Sequence, residues 1–140
     1  MPALPAAEAR ARFATARVAR LATTGPARPH LVPVCFALDG DTLYTAVDAK
    51  PKRTQRLQRL TDVARNPAVS LLADHYDDDW STLWWARLDG DARVLEPGGR
   101  GHARAVALLA ARYAQYRDRP PEGAALAVDA VRWTGWQAST

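Results

Sequence analysis

Residues 30–47 read HLVPVCFALDGDTLYTAV. Both ends of this stretch are rich in β-branched and apolar residues, which are typical of strands. Between them lies Asp39-Gly40-Asp41, a strong signal for a tight turn between antiparallel strands. The stretch therefore predicts a β-hairpin, with strands over residues 30–38 and 42–47.

Segments on either side of the hairpin extend the same pattern. Further strands are predicted at 18–23, 68–73, 82–88, 92–95 and 124–133. Helices are predicted at 8–16, 50–65 and 100–117. Asp89-Gly90-Asp91 either turns the chain or bulges a single long strand. No βαβ rhythm and no glycine-rich dinucleotide fingerprint is present, so a Rossmann fold is disfavoured. The order of the predicted strands and helices along the chain indicates an antiparallel barrel of six or so strands with peripheral helices.

Composition narrows the class of protein. The 140 residues, 48% hydrophobic and 24% charged, predict one globular domain spanning residues 1–140. A single cysteine and three scattered histidines give no disulfide framework and no zinc spacing, so no metal is expected. No apolar run approaches the roughly 20 residues that cross a bilayer, and no signal peptide is evident. We therefore expect a cytoplasmic protein without a membrane partner.

The densest chemical signal is Lys50-Pro51-Lys52-Arg53, which follows a predicted strand and opens a predicted helix. Arg56, Arg59 and Arg65 continue the basic pattern, with Asp62 as the single acid between residues 50 and 65. Lysine and arginine at a helix N-terminus favour a phosphate or carboxylate there. The alternative is a solvated basic face. Binding to nucleic acid is disfavoured because the next segment is acidic and no recognition motif accompanies the helix.

Aromatic residues give the second signal. Five tryptophans are many for this length, and core packing or a subunit interface accounts for most of them. Trp84 and Trp85 are adjacent in a predicted strand and face opposite sides, so one of them is available to a partner or a planar ligand. His75 lies among aspartates, either as a loop residue or as an acid/base. Cys35 is expected to be buried and inert. Without an evident nucleophile, base or metal, the pattern favours a bound cofactor that carries the chemistry.

The order and spacing of several short motifs resemble the pyridoxamine 5′-phosphate oxidase-like split β-barrel superfamily of flavin and deazaflavin oxidoreductases. The motifs are residues 19–23, 29–34, 42–45, 50–53 and 66–71. Three further stretches, residues 74–80, 83–87 and 132–136, look like its actinobacterial branch, which is associated with the deazaflavin coenzyme F420. The resemblance covers nearly the whole chain after the first ten residues or so.

The resemblance implies a homodimer with two cofactor sites in grooves between the subunits. The basic segment would bind the cofactor phosphate, and strands 2 and 3 would flank the ring system. The C-terminal segment of the partner chain would cover the ring. The cofactor-binding residues implied in this way are Pro33, Val34, Thr45, Lys50, Lys52, Arg53, Trp133 and Trp136, and the basic and aromatic patterns add Arg56 and Trp85 as candidates.

The activity that the resemblance implies is hydride transfer between the deazaflavin C5 and a small conjugated substrate. No dedicated catalytic side chain is expected, and His75 is a speculative proton donor. An arginine-rich flavin motif is missing from the second strand, which disfavours pyridoxamine phosphate oxidase activity and favours F420 over FMN. The alternatives are an FMN- or haem-type split-barrel protein and a non-enzymatic carrier of F420.

Overall fold

The computed structural model describes residues 3–47 and 57–138. Seven strands and four helices lie within these ranges. In chain order they are α1 (Ala6–Ala14), β1 (Ala19–Thr24), β2 (Pro29–Val34), β3 (Ala37–Asp39), β4 (Thr42–Ala46), α2 (Gln58–Arg65), β5 (Ala68–His75), β6 (Trp84–Leu95), α3 (Arg100–Arg112), α4 (Ala114–Asp118) and β7 (Ala125–Gln137). A short 3₁₀ turn, Trp80–Thr82, precedes β6.

The strands form one antiparallel sheet in the order β2-β1-β5-β6-β7-β4-β3. Its two edge strands, β2 and β3, are separated in the chain only by Cys35 and Phe36. Two residues span no more than about 10 Å from one strand end to the next, so the sheet must curl until its edges nearly meet. The predicted antiparallel split barrel with peripheral helices is confirmed.

Two predicted elements are divided in the structure. The strand over residues 30–38 breaks at Cys35 and Phe36, and the helix over residues 100–117 breaks at Tyr113, whose backbone is extended. Both predictions of a continuous element were wrong. Phe36 N–H donates a hydrogen bond to the Tyr113 hydroxyl at 3.2 Å, so the two breaks meet each other in the fold.

Strands β6 and β7 are longer than predicted. Asp89 and Gly90 lie inside a single strand β6, and the register shifts there because Val131 of β7 has no opposite residue. Gly90 therefore bulges the ladder and does not turn the chain. Thr134, Gly135 and Trp136 continue β7. Gly135 lets α1 pack closely there, because a Cβ would lie 3.0 Å from the Ala9 Cβ of α1 and 3.1 Å from the Trp85 carbonyl oxygen.

The basic helix starts later than predicted. Leu57 has extended dihedrals, φ −58° and ψ 144°, and α2 begins at Gln58. A continuous helix from residue 50 to 65 is therefore wrong, and the proposed anion site at its first turn falls outside the described residues. The hairpin prediction is confirmed, since Asp39 pairs with Thr42 across a turn in which Gly40 has a φ of +61°.

The main core lies inside the curled sheet, under α1. Phe13 of α1 packs against Phe36, with ring centroids 4.9 Å apart, and edge-on against Trp133 at 5.4 Å. A second apolar cluster, with Tyr44, Leu109 and Tyr113 among its members, joins α3 to the outside of β4. Helix α1 thus packs inside the curled sheet and α3 packs on its outside, and both contact the region where the barrel edges meet.

Candidate functional site

A cleft of about 250 Å³ lies where the two edges of the barrel approach each other. One wall is the end of β2, the other is Ala46 of β4, and side chains from α2 and α4 complete it. Its described lining residues are Val18, Pro33, Val34, Cys35, Ala46, Arg59 and Tyr116. Val18 and Pro33 are exposed, so the cleft is open to solvent. The described lining therefore combines an apolar wall with the guanidinium of Arg59 and the phenol of Tyr116.

The wall of the cleft is held by hydrogen bonds to the backbone of the link between β2 and β3. The Thr45 hydroxyl donates to the Cys35 carbonyl at 2.7 Å, which joins β4 to the link. Arg112 Nη1 donates to the Phe36 carbonyl at 2.7 Å, and the Tyr113 hydroxyl lies 2.9 Å from the same oxygen. Burial raises the pKa of Tyr113 above its ordinary value, so its hydroxyl stays protonated at neutral pH.

The base of the cleft is supplied by α2, whose position depends on Asp62. Its side chain is completely buried. One carboxylate oxygen, Oδ2, accepts from the Thr23 hydroxyl at 2.7 Å and lies 2.5 Å from His30 Nδ1. The other, Oδ1, accepts from Gln58 Nε2 at 2.9 Å. Burial raises the pKa of Asp62, but the hydrogen bonds and the nearby imidazole outweigh it, and the pKa falls below its ordinary value.

Arg59 lies three residues before Asp62 on the same helix. Asp62 faces the barrel interior and contacts β1 and β2, whereas Arg59 lines the cleft. The buried carboxylate therefore fixes the orientation of α2 relative to the sheet. The orientation of α2 in turn sets the position of Arg59 at the cleft. A guanidinium beside an apolar wall suits a planar ring that carries an anionic group.

The structure brings together some of the predicted site residues. Pro33 and Val34 line the cleft, and Thr45 supports it through the bond to the Cys35 carbonyl. The Thr45 hydroxyl is buried and already donates to that backbone oxygen, so its contribution is to position the wall. The basic residues Lys50, Lys52, Arg53 and Arg56 lie outside the described residues.

The predicted tryptophans lie elsewhere on the sheet. Trp133 packs on Phe13 in the main core of its own chain, and its predicted contact with the cofactor of a partner subunit stays a prediction. Trp85 and Trp136 are register partners on β6 and β7 and therefore share one face of the sheet. Arg87 covers the Trp85 ring, with its guanidinium carbon 5.6 Å from the centroid. None of the three is among the described lining residues.

His75 is also away from the cleft. It ends β5, and its Nε2 lies 2.9 Å from Asp77 Oδ2 in the exposed segment that follows. This contact gives His75 a role in the structure of that segment. Among residues 3–47 and 57–138, no cluster of His, Cys, Asp or Glu side chains is placed to hold a metal ion. None of the helices in these ranges has the length and apolar character that crossing a bilayer requires.

Arg59, Tyr116 and Asp62 were not predicted as site residues. A signal for Asp62 was present, because it is the one acid in a basic segment and falls among the apolar positions of the helix. Arg59 follows from Asp62 by helical spacing, since a residue three positions away lies on a neighbouring part of the surface. Nothing local pointed to Tyr116, which reaches the cleft only through the break at Tyr113.

The curled antiparallel sheet, the split between its edges and the helices that flank it define a split-barrel protein. A family model described as pyridoxamine 5′-phosphate oxidase matches residues 5–140. The chain belongs to this family. No sequence among the curated proteins matches it significantly.

Solved structures with the same fold are distant in sequence. A FAD-binding protein from Mesorhizobium loti is 20% identical, with a TM-score of 0.75 over 96% of this chain and 95% of that one. A conserved hypothetical protein from Mycobacterium tuberculosis is 23% identical, with a TM-score of 0.74 over 96% and 85%. A haem storage protein from Vibrio cholerae is 13% identical, with a TM-score of 0.68 over 91% of both chains. These likenesses show the fold.

Proposed function

We propose that this protein is an oxidoreductase that binds a flavin or deazaflavin in the cleft between β2 and β4. The observation that carries the proposal is the lining of the cleft, in which Arg59 adjoins the apolar wall formed by Pro33 and Val34. The residues present fit such a cofactor, because an apolar wall accepts a planar ring and a guanidinium pairs with an anionic group. Membership of the pyridoxamine 5′-phosphate oxidase family supports the same assignment.

Coenzyme F420 is the cofactor that we propose first, with FMN as the alternative. The resemblance of residues 74–80, 83–87 and 132–136 to the deazaflavin-associated branch supports F420. The FAD-binding protein with the same fold supports a flavin. In either case Lys50, Lys52, Arg53 and Arg56, next to α2 in the sequence, would add cationic donors for a phosphate.

When bound, the reduced cofactor supplies a hydride, and the chain itself supplies binding and orientation. Pro33 and Val34 would hold the ring against the end of β2, and Arg59 would hold an anionic group at the base of the cleft. Proximity and alignment of a substrate over the ring then account for most of the rate enhancement. The substrate class that we propose is a small conjugated acceptor.

A homodimer is part of the proposal. The cavity of about 250 Å³ is smaller than the roughly 300–1,000 Å³ of typical ligand pockets. One subunit would therefore cover only part of a flavin-sized molecule, and a second subunit would cover the remainder. The resemblance to the split-barrel superfamily supports this arrangement.

A second candidate function is a non-enzymatic carrier. Two observations favour it: the described lining of the cleft contains no carboxylate and no imidazole, and a haem storage protein has the same fold. A carrier and an enzyme would bind the cofactor in the same cleft. They would differ in whether the bound reduced cofactor passes its electrons to an acceptor.

Parallel titrations of the purified protein with F420, FMN, FAD and haem test the proposal, with tryptophan fluorescence as the readout at two salt concentrations. We expect micromolar or tighter binding of F420 that weakens with added salt. Preference for FMN or FAD would assign the flavin alternative, and binding of none of the four would overturn the proposed function. Single-turnover oxidation of the bound reduced cofactor by quinones and enones separates enzyme from carrier. In a carrier, none of these acceptors would oxidise the bound reduced cofactor.

A further inference from the structure

A second concave region, which we call the α1 groove, lies between α1 and the end of β7. Its described lining residues are Leu4, Glu8, Ala11, Arg12, Thr15 and Gln137. Its volume of about 430 Å³ lies within the roughly 300–1,000 Å³ typical of small-molecule sites, whereas the cleft between β2 and β4 is smaller than this. The α1 groove and the cleft have no described lining residue in common, so the proposed function makes no use of the groove.

One face of α1 forms a wall of the α1 groove. Glu8, Arg12 and Thr15 follow one another at spacings of four and three residues, which places them along a single face of the helix. A different face of α1 carries Ala9 and Phe13, both completely buried in the main core. The buried face fixes the helix on the sheet. The polar face is therefore presented to the groove at a defined position.

Arg12 is held in the α1 groove by neutral partners. Its Nη2 donates to Gln137 Oε1 at 2.6 Å, and its guanidinium carbon lies 5.5 Å from the centroid of the Trp84 ring. Trp84 and Gln137 are register partners on β6 and β7, so the two contacts come from adjacent strands. Within the described part of the chain, no carboxylate forms an ion pair with Arg12. A half-buried guanidinium without a counter-ion favours an anionic group on a ligand.

Glu8 supplies the opposite charge one helical turn away. Side chains four residues apart on a helix can pair, but the Arg12 guanidinium is turned toward β6 and β7. Glu8 is exposed and forms no ion pair with the other described residues. The α1 groove thus has one cation and one anion, attached to the helix about 6 Å apart along its axis. Leu4 and Ala11 add apolar surface beside them.

We propose that the α1 groove binds a zwitterionic amino acid with an apolar side chain. The carboxylate of the ligand accepts hydrogen bonds from the Arg12 guanidinium, and its ammonium donates to the Glu8 carboxylate. The side chain of the ligand lies on Leu4 and Ala11. A simple anion fits less well, because Glu8 would repel it. This inference goes beyond the proposed function and does not rest on it.

Isothermal titration calorimetry with L-leucine and L-phenylalanine tests the proposal on the purified protein. We expect at least one of them to bind with a Kd of about 1 mM or lower. Two analogues of phenylalanine each lack one charge: N-acetyl-L-phenylalanine has no ammonium, and phenethylamine has no carboxylate. Each should bind at least about tenfold more weakly than the parent amino acid, because one charge-assisted contact is lost. Binding of neither amino acid, or equal binding of an analogue that lacks one charge, would overturn the proposal.

Variants of α1 assign the binding to the groove. Arg12→Gln and Glu8→Gln should each weaken amino acid binding at least about tenfold, and Glu8→Gln changes only an exposed side chain, so the fold is kept. Glu8→Gln should not weaken binding of N-acetyl-L-phenylalanine, which has no ammonium to lose. Arg10→Gln is the matched control, because Arg10 lies on the same helix but contacts Gly40 and Asp41; it should weaken binding by less than about twofold. Equal losses in Arg10→Gln and Arg12→Gln, no loss in Glu8→Gln, or a parallel loss of cofactor affinity in Glu8→Gln would overturn the proposal.

Discussion

His30 Nδ1 lies 2.5 Å from Oδ2 of the completely buried Asp62. This contact joins α2 to β2, which is an edge strand of the barrel and the wall of the cleft. Thr23 of β1 donates to the same oxygen, so one carboxylate connects the helix to two strands. The base and one wall of the proposed site are therefore positioned by the same buried group.

Replacing Asp62 by alanine should destabilise the protein by about 3 kcal/mol, because the buried Thr23 hydroxyl, the half-buried His30 and the Gln58 amide would all lose their acceptor. Asp62→Asn should cost less, since one amide oxygen still accepts. Urea unfolding followed by tryptophan fluorescence measures the difference. Asp78→Asn, an exposed change in the segment after β5, should stay within about 0.5 kcal/mol of the wild type. Equal effects of Asp62→Ala and Asp78→Asn would contradict the role of Asp62.

The same carboxylate should make stability depend on pH in the acid range. The pKa of Asp62 in the folded state lies below its ordinary value of 3.8, so folding favours the ionised form. Its contribution to stability is fully present above the unfolded pKa and is lost as the pH falls through the lower folded pKa. We expect the stability difference between wild type and Asp62→Asn to shrink as the pH falls below 4. Unfolding at intervals between pH 7 and 3 measures it, and a constant difference down to pH 3 would refute it.

Much of the fold was predictable because its signals are local. The alternation at residues 18–23 and the turn at Gly40 depend on neighbouring residues, and both predictions are confirmed, with the strand at Ala19–Thr24. The break at Cys35 and Phe36 is different. Neither residue is a glycine or proline, and the break arises from hydrogen bonds to Tyr113 and Arg112, about 77 positions away in the chain. No window of neighbouring residues contains that information.

The candidate site was predictable only in its strands. Pro33 and Val34 were identified through the resemblance, and the structure places both in the cleft. Arg59 was recognised only as one of several basic residues off the apolar face of a helix. Which of those residues reaches the cleft depends on the residue at which α2 begins. Because the backbone of Leu57 is extended, α2 begins at Gln58. Trp133 packs on Phe13 of its own chain, and its contact with the cofactor of a partner subunit stays a prediction.

Arg112 should be sensitive even to a conservative change. Its guanidinium donates to the carbonyls of Phe36, Ala14 and Ala16, which connects α3 to the link between β2 and β3 and to the end of α1. A lysine ammonium cannot reproduce that planar fork. We expect Arg112→Lys to lower the free energy of unfolding by about 2 kcal/mol. Arg119→Lys, at an exposed position after α4, is the control and should change it by less than about 0.5 kcal/mol. Comparable losses in the two variants would argue against this role.

Lys52 tests the part of the site that was predicted from sequence alone. If the basic segment binds the cofactor phosphate, Lys52→Ala should weaken cofactor binding by about 1–3 kcal/mol, the usual scale of a charge-assisted contact. The fluorescence titration measures it, with the free energy of unfolding as a check that the fold is unchanged. An affinity equal to that of the wild type would remove Lys52 from the site.

Arg59 and Arg65 offer a matched comparison on one helix. Arg59 lines the cleft, whereas Arg65 is exposed in the last turn of α2 and is not among the lining residues. Each substitution by alanine removes one positive charge, so the long-range electrostatic change is similar in the two variants. Only Arg59→Ala removes a donor within reach of a ligand in the cleft. We expect it to weaken cofactor binding about 5- to 150-fold, and Arg65→Ala by less than about twofold. If both variants lost affinity equally, the effect would come from net charge, and the cleft would not be where the anionic group binds.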